Sequence, residues 1–282
     1  MKTRSIIFLA VIILISLISN ASAQITWKQH EVVDNLPLQL FHSPQSINLP
    51  TVETLQQGDF EFEISHRFLP PIKNGTKDFY GFDGPVNMRI ALGYAVTNDL
   101  VVTLGRSNVE DNLELKGKYR ALQLKETFLP LLVGVQIGIA RNTQTFGQTA
   151  NAGRTYQYFG QLIFNTMIYK TFGIGIVPSY LYNSNIYVNE VQNSFTLGMN
   201  FQYYVSKMVS VLAEFNPTVN GYVNRFDSAA FGVELETGGH FFKIILTNNA
   251  KLNSTQFLSG ADKTIGGGEW RLGFNITRLL KF

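Results

Sequence analysis

Carboxylates two residues apart, Glu61 with Glu63 and Glu234 with Glu236, are the first groups in this chain that could do acid–base work. On a strand that spacing puts both members of a pair on one face, as glycoside hydrolysis would need. The same faces, however, carry as many bases. Arg67, Arg89, Lys116, Lys118, Arg120, Lys243 and Arg271 share inward parity with Glu61, Glu63, Glu114, Glu214, Glu234, Glu236 and Glu269. Seven charges of each sign predict a cross-linked ladder lining a lumen and no catalytic pair. The histidines point the same way. His66 and His240 have the parity of their apolar neighbours, away from the acids, whereas a nucleophile–base cluster needs them together. His30 and His42, with Glu31 or Asp34, match no ligand spacing, and without cysteine there is no thiolate or disulfide chemistry. Gly266 to Glu269 precedes a strand and lacks the GK[ST] of a phosphate loop. The expectation is no catalytic residue, no metal and no cofactor.

The elements that position these charges are strands. Phe60 to Phe68 reads FEFEISHRF, with Phe60, Phe62, Ile64 and Phe68 on one side and Glu61, Glu63, Ser65 and Arg67 on the other. Alternating segments recur at 58–68, 87–96, 100–108, 113–122, 131–141, 157–169, 173–182, 194–204, 208–216, 228–237, 240–248 and 268–278. Their length suits tilted membrane strands of ~9–11 residues. Short connections (Thr97 to Asp99, Lys170 to Phe172, Val205 to Lys207, Thr237 to Gly239) alternate with long polar ones at 69–86, 142–156, 183–193, 217–227 and 249–267. Outer-membrane barrels separate tight turns from long loops in this way, and the short 109–112 is an exception. Charged residues make up 15% of the chain, against about 25% in soluble domains. The mean hydropathy of +0.05 fits faces that alternate between lipid and lumen. The expected fold is all-β: a transmembrane antiparallel up-and-down β-barrel of about 12 strands, with a soluble secreted β-sandwich as its rival. In the barrel, Phe60, Phe62 and Ile64 meet lipid.

The flanks complete the organisation. Residues 1–23, with Lys2, Arg4, an apolar core from Ile6 to Ile18 and Ala21-Ser22-Ala23, predict a signal peptide for Sec export. Without Lys2 and Arg4, 21 basic residues face 20 acidic ones, which gives no reason to expect nucleic acid. Residues 24–57 hold Pro37, Pro44 and Pro50 and no sustained alternation; they predict a periplasmic leader, strap or plug before a barrel at 58–282. Trp270, Leu272, Phe274, Ile276, Leu280 and Phe282 share one parity at the C-terminus. They resemble the terminal signal read by barrel-assembly machinery.

Residues 47–68, INLPTVETLQQGDFEFEISHRF, resemble the opening of an uncharacterised outer-membrane β-barrel family, a domain of unknown function. The NLPTxETL run, the glycine before the first strand and the closing HRF carry the resemblance. It extends through Gly81 to Gly84 and Arg89 to Leu100 toward the C-terminus. It implies a barrel in the bacterial outer membrane and no particular substrate. Expected partners are outer-membrane lipid, the assembly machinery and a possible periplasmic protein. The functional readings are a narrow channel or carrier for a small solute or apolar molecule, a structural or interaction barrel, and, less favoured, an outer-membrane hydrolase.

Overall fold

Strands follow the alternation closely in the computed structural model, which describes residues 39–281 except 126–128, 146, 148 and 150–152. The signal-peptide segment, His30, Glu31, Asp34 and Phe282 lie outside the described residues. The strands are β1 (Phe60–Phe68), β2 (Val86–Ala95), β3 (Leu100–Ser107), β4 (Asn112–Leu124), β5 (Leu131–Asn142), β6 (Tyr156–Ile168) and β7 (Phe172–Tyr182). They continue as β8 (Asn193–Tyr204), β9 (Val209–Asn216), β10 (Thr218–Gly221), β11 (Ser228–Glu236), β12 (His240–Thr247) and β13 (Arg271–Leu280). Each described pairing is antiparallel. β1 pairs with both β2 and β13, and β8 pairs with β9, so the sheet closes. Pro217 has no N–H to donate and interrupts β9; β10 resumes the same stave against β8. The barrel therefore has twelve staves, as the sequence predicts.

Closure removes edges, so every strand except the short β10, which pairs with β8 alone, finds both its hydrogen-bonding neighbours. The register sets the two faces. Ile64 lies opposite Ile90 on β2 and Ile276 on β13, three isoleucines at one level of the outer wall. Leu92, Leu104, Leu115, Ile137, Leu162 and Ile244 continue this exposed apolar band. Inward positions are buried and mostly polar. Two inward glycines create room for large cations: a Cβ at Gly105 would lie 3.0 Å from the Arg89 guanidinium, and one at Gly273 would lie 2.6 Å from Arg67 Cδ.

Turn lengths sort by end, with the 109–112 exception intact. There Val109–Asp111 forms a short 3-10 turn, and its Glu110 carbonyl accepts the N–H groups of Thr143 and Gln144 from the neighbouring long loop. At the opposite end the β6–β7 turn places Tyr169 and Lys170 at φ 52° and 54°, the twist favoured by a two-residue hairpin. In the β12–β13 loop a five-residue helix, α1 (Ser254–Leu258), is buried along nearly its whole length.

Candidate functional site

The polar inner wall grips two pieces of the chain's own backbone. Residues 39–57 have prolines and no alternation, so they cannot join the sheet, and Pro44 to Thr51 closes on itself. Ser46 N–H donates to Leu49 O at 2.9 Å and Thr51 N–H to Pro44 O at 3.1 Å. The remaining polar groups need partners because they are buried. The wall supplies them.

Glu214 on β9 accepts the consecutive N–H groups of Ile47 (2.6 Å), Asn48 (2.9 Å) and Leu49 (2.9 Å). Successive N–H groups converging on one oxygen make an anion nest, here filled by a carboxylate. The lysines do the converse. Lys118 donates to the carbonyls of Pro44 (2.7 Å), Thr51 (3.0 Å) and Glu53 (2.6 Å). Lys243 donates to those of Gln45 and Ser46, both at 2.5 Å. Amides complete the set: Asn165 accepts Val52 N–H at 2.6 Å, and Asn275 donates to Ile47 O at 2.9 Å. Arg67 donates to Asn48 Oδ1 at 3.1 Å and to Asn275 Oδ1 at 2.8 Å.

Apolar contacts fill the rest. Leu40, Phe41, Leu49 and Val52 join inward-facing Leu132, Phe159, Ile163, Val177 and Leu181 of β5–β7, and Phe257 and Leu258 of α1, in one buried cluster. Ile47 packs with Leu212, Ala230 and Ile245. The segment and the loop helix thus meet on one apolar sector of the lumen. Polar contacts also fix the loop: Arg89 donates to Asn253 Oδ1 at 2.7 Å, and Glu114 accepts from Ser254 Oγ at 3.2 Å.

The expected ladder is only partly a ladder. Among the fourteen charges, direct pairs are Arg89–Glu63 at 2.7 Å, Lys243–Glu234 at 3.2 Å and Lys116–Glu114 at 3.8 Å. Glu61 sits half-buried on the inner face beside Glu63. Arg120 and Arg271 turn instead to Asp99 (2.8 Å) and Asp262 (2.6 Å), outside the set. Glu236 lies at the strand end and accepts Gly239 N–H at 3.1 Å, closing a turn. Glu269 departs from the expectation: it precedes β13 in the loop and pairs with Lys73 at 2.8 Å and Lys263 at 3.7 Å. It lies two residues before the strand, where alternation does not determine side-chain direction. Of the terminal set, Leu272, Phe274, Ile276 and Leu280 lie on β13, the first three facing outward, and Trp270 precedes it with its ring 5.5 Å from that of Phe231.

His66 faces outward, stacked on Phe274 with ring centroids 4.9 Å apart. His42 is a residue that strand parity cannot place. It enters the lumen with Nδ1 2.9 Å from Glu234, beside Ser43 and Lys243. A serine with histidine, lysine and carboxylate suggests hydrolysis, but the geometry opposes it. The His42 contact is to Glu234 and the Ser43 hydroxyl donates to Gln45 O at 2.7 Å. The Lys243 ammonium faces four oxygens: Glu234, Ser43 Oγ, Gln45 O and Ser46 O. Its N–H groups are directed at oxygens of the segment and of the wall, and Ser43 Oγ also lies 3.2 Å from Glu234. The quartet is a clasp.

Glu53, also unpredicted, accepts Leu40 N–H at 2.7 Å and Phe41 N–H at 3.0 Å. Burial lifts its carboxyl from 4.5 to about 7, against the opposing pull of those N–H groups and of Lys118 and Arg120. The folded state therefore binds the proton more tightly than the unfolded chain. Seating of the segment is strongest below about pH 4.5 and weakens as pH rises through about 7. The span is worth roughly 3 kcal/mol. The thermal midpoint in micelles should fall between pH 5 and 8, and Glu53→Gln should flatten that slope. An unchanged slope in the variant would assign the effect to other groups.

One signal for the occupied lumen was present in the sequence. Phe159, Ile163, Val177 and Leu181 have inward parity, where a water-filled interior would carry polar side chains. The inward amides Asn165, Gln202 and Asn275 carry no such mark.

The family model described as "Membrane bound beta barrel domain (DUF5777)" matches residues 41–280. Among solved structures, the NanC porin is similar with a TM-score of 0.47 and 9% identity, over 79% of this chain and all of that one. An outer membrane channel from Pseudomonas putida F1 gives 0.47 and 13% over 81% and 98% of the two chains. The KdgM porin gives 0.46 and 8% over 79% and 99%. No curated protein matches the chain.

Proposed function

The chain belongs to the DUF5777 family of membrane-bound β-barrel domains, and from that premise we propose a closed channel or carrier of the bacterial outer membrane for a small solute or apolar molecule. Residues 39–57 act as its plug. The observation that carries this reading is the clamp on the segment's backbone: Glu214 holds three N–H groups while Lys118 and Lys243 hold five carbonyls. Twelve staves would enclose a bore between the filled eight-strand barrel and the open sixteen-strand porin. Here that bore is occupied by a segment held by buried polar contacts to the wall and by apolar packing of Leu40, Phe41, Ile47, Leu49 and Val52.

Purified protein in planar bilayers tests the reading. The intact chain should show little or no steady conductance, and deletion of residues 39–57 should produce resolvable openings. A wide, stable pore in the intact protein would refute the plug. Unchanged silence after deletion, in protein that still migrates faster unboiled than boiled, would favour the alternative: a structural or interaction barrel whose leader engages a periplasmic partner.

A further inference from the structure

The connection between β1 and β2 carries three aromatic side chains that the protein itself does not cover. Phe79, Tyr80 and Phe82 are 65%, 54% and 51% exposed. Their backbone is costly. Phe79 and Tyr80 sit at φ 44° and 56°, a left-handed conformation that bulky side chains rarely adopt. Gly81 follows at φ 99°, and a Cβ there would lie 2.8 Å from the Pro70 carbonyl. Gly84 abuts the ring of Pro70, where a Cβ would lie 2.5 Å from its Cγ. Phe82 N–H to Phe79 O (3.2 Å) and Asp83 N–H to Asp78 O (3.1 Å) hold the turn. The loop is therefore tightly shaped, yet it leaves half or more of each ring uncovered.

Those rings do not begin in the loop. Phe274 on β13 stacks on His66 of β1 at 4.9 Å, and His66 meets Phe68 edge-on at 4.8 Å. Phe68 meets Phe82 at 5.1 Å, and Phe82 meets Phe79 at 6.0 Å. The first three belong to the outer wall of a membrane-bound barrel. The row thus runs unbroken from the lipid-facing surface past the strand end into the loop. Rings with an apolar body are favoured at the headgroup boundary, and a phenol adds a polar tip suited to it.

We infer that residues 79–82 dip into the headgroup layer of the leaflet at the long-loop end and anchor that side of the barrel rim to lipid. Lipid is the occupant because the patch continues the wall that lipid already covers. The surface is independent of whatever passes through the lumen, so it stands or falls apart from the plug.

The test places a single fluorophore in the loop of the full-length chain. Trp27 and Trp270 are replaced by phenylalanine, Phe79→Trp is introduced, and the protein is reconstituted into phosphatidylcholine vesicles with lipids brominated at shallow or deep chain positions. Emission should be blue-shifted from that of the urea-unfolded protein. Shallow bromines should quench it at least twofold more than deep ones, and acrylamide quenching should fall several-fold relative to the unfolded protein. Phe62→Trp, on the outer wall away from the loop, is the lipid-exposed reference. Water-like emission with full acrylamide access and no bromolipid quenching would overturn the inference. So would acrylamide protection without bromolipid quenching that grows with the protein-to-lipid ratio, since that places a second copy of the chain over the patch. If Phe79→Trp does not regain heat-modifiable migration, Tyr80→Trp gives the same reading from the adjacent exposed ring.

Discussion

Glu214→Ala should release the lumen segment and cost the barrel roughly 3 kcal/mol or more, at ~1–3 kcal/mol for each buried donor left without a partner. The reason is the asymmetry between making and stranding buried hydrogen bonds. Each orphaned buried donor costs ~1–3 kcal/mol, and this substitution orphans the N–H groups of Ile47, Asn48 and Leu49 together. Glu214→Gln should cost less than the alanine, because its amide oxygen can still take the three N–H groups that converge on Oε1, while its NH2 would face Asn48, which now donates to Oε2. Three readouts should move together: a lower thermal midpoint, new protease cleavage within residues 39–57, and channel openings in bilayers. Glu236→Ala, at the rim, should change none of them by much. A Glu214→Ala protein with wild-type midpoint and an uncleaved segment would show that the nest does not hold the segment.

Ile64→Arg should block assembly or lower stability by about 2–4 kcal/mol, the cost of an arginine on the lipid face near the midplane. Ile64 is at the centre of β1, level with Ile90 and Ile276 on its neighbours. A lipid-facing position has no packed partner to displace, so Ile64→Trp should cost under about 1 kcal/mol. In a packed interior the same enlargement would cost ~1–3 kcal/mol. Folding yield in vesicles and urea midpoints measure both. The pattern of arginine refused and tryptophan accepted identifies lipid; the reverse pattern would turn the barrel inside out. Glu63→Gln is not a silent control here, because it removes the carboxylate 2.7 Å from buried Arg89.

How much of this was legible in the chain depends on the range over which the physics acts. Alternation is a local property: covalent geometry sends successive side chains of a strand to opposite faces. Phe60 to Phe68 therefore announced both the strand and its faces, and the separation of tight turns from long loops announced closure. Glu269 marks the boundary of that logic, since two residues before the strand begins its parity means nothing. The inward charges were also legible as inward, because lipid penalises them whatever their partners.

The partners were not legible. Whether Glu214 faces Arg67 or three backbone N–H groups 165 to 167 residues away is a question of which segment enters the lumen. Residues 39–57 have no periodicity to read, and their path follows from complementarity to a wall assembled from nearly every strand. His42 and Glu53 acquire their environments only there. Sequence alone thus determined the strands, their faces and the closed barrel, because those follow from side-chain direction repeated along the chain. The tertiary structure decided what fills the barrel, because buried polar groups choose partners by proximity after closure, and that proximity has no local code.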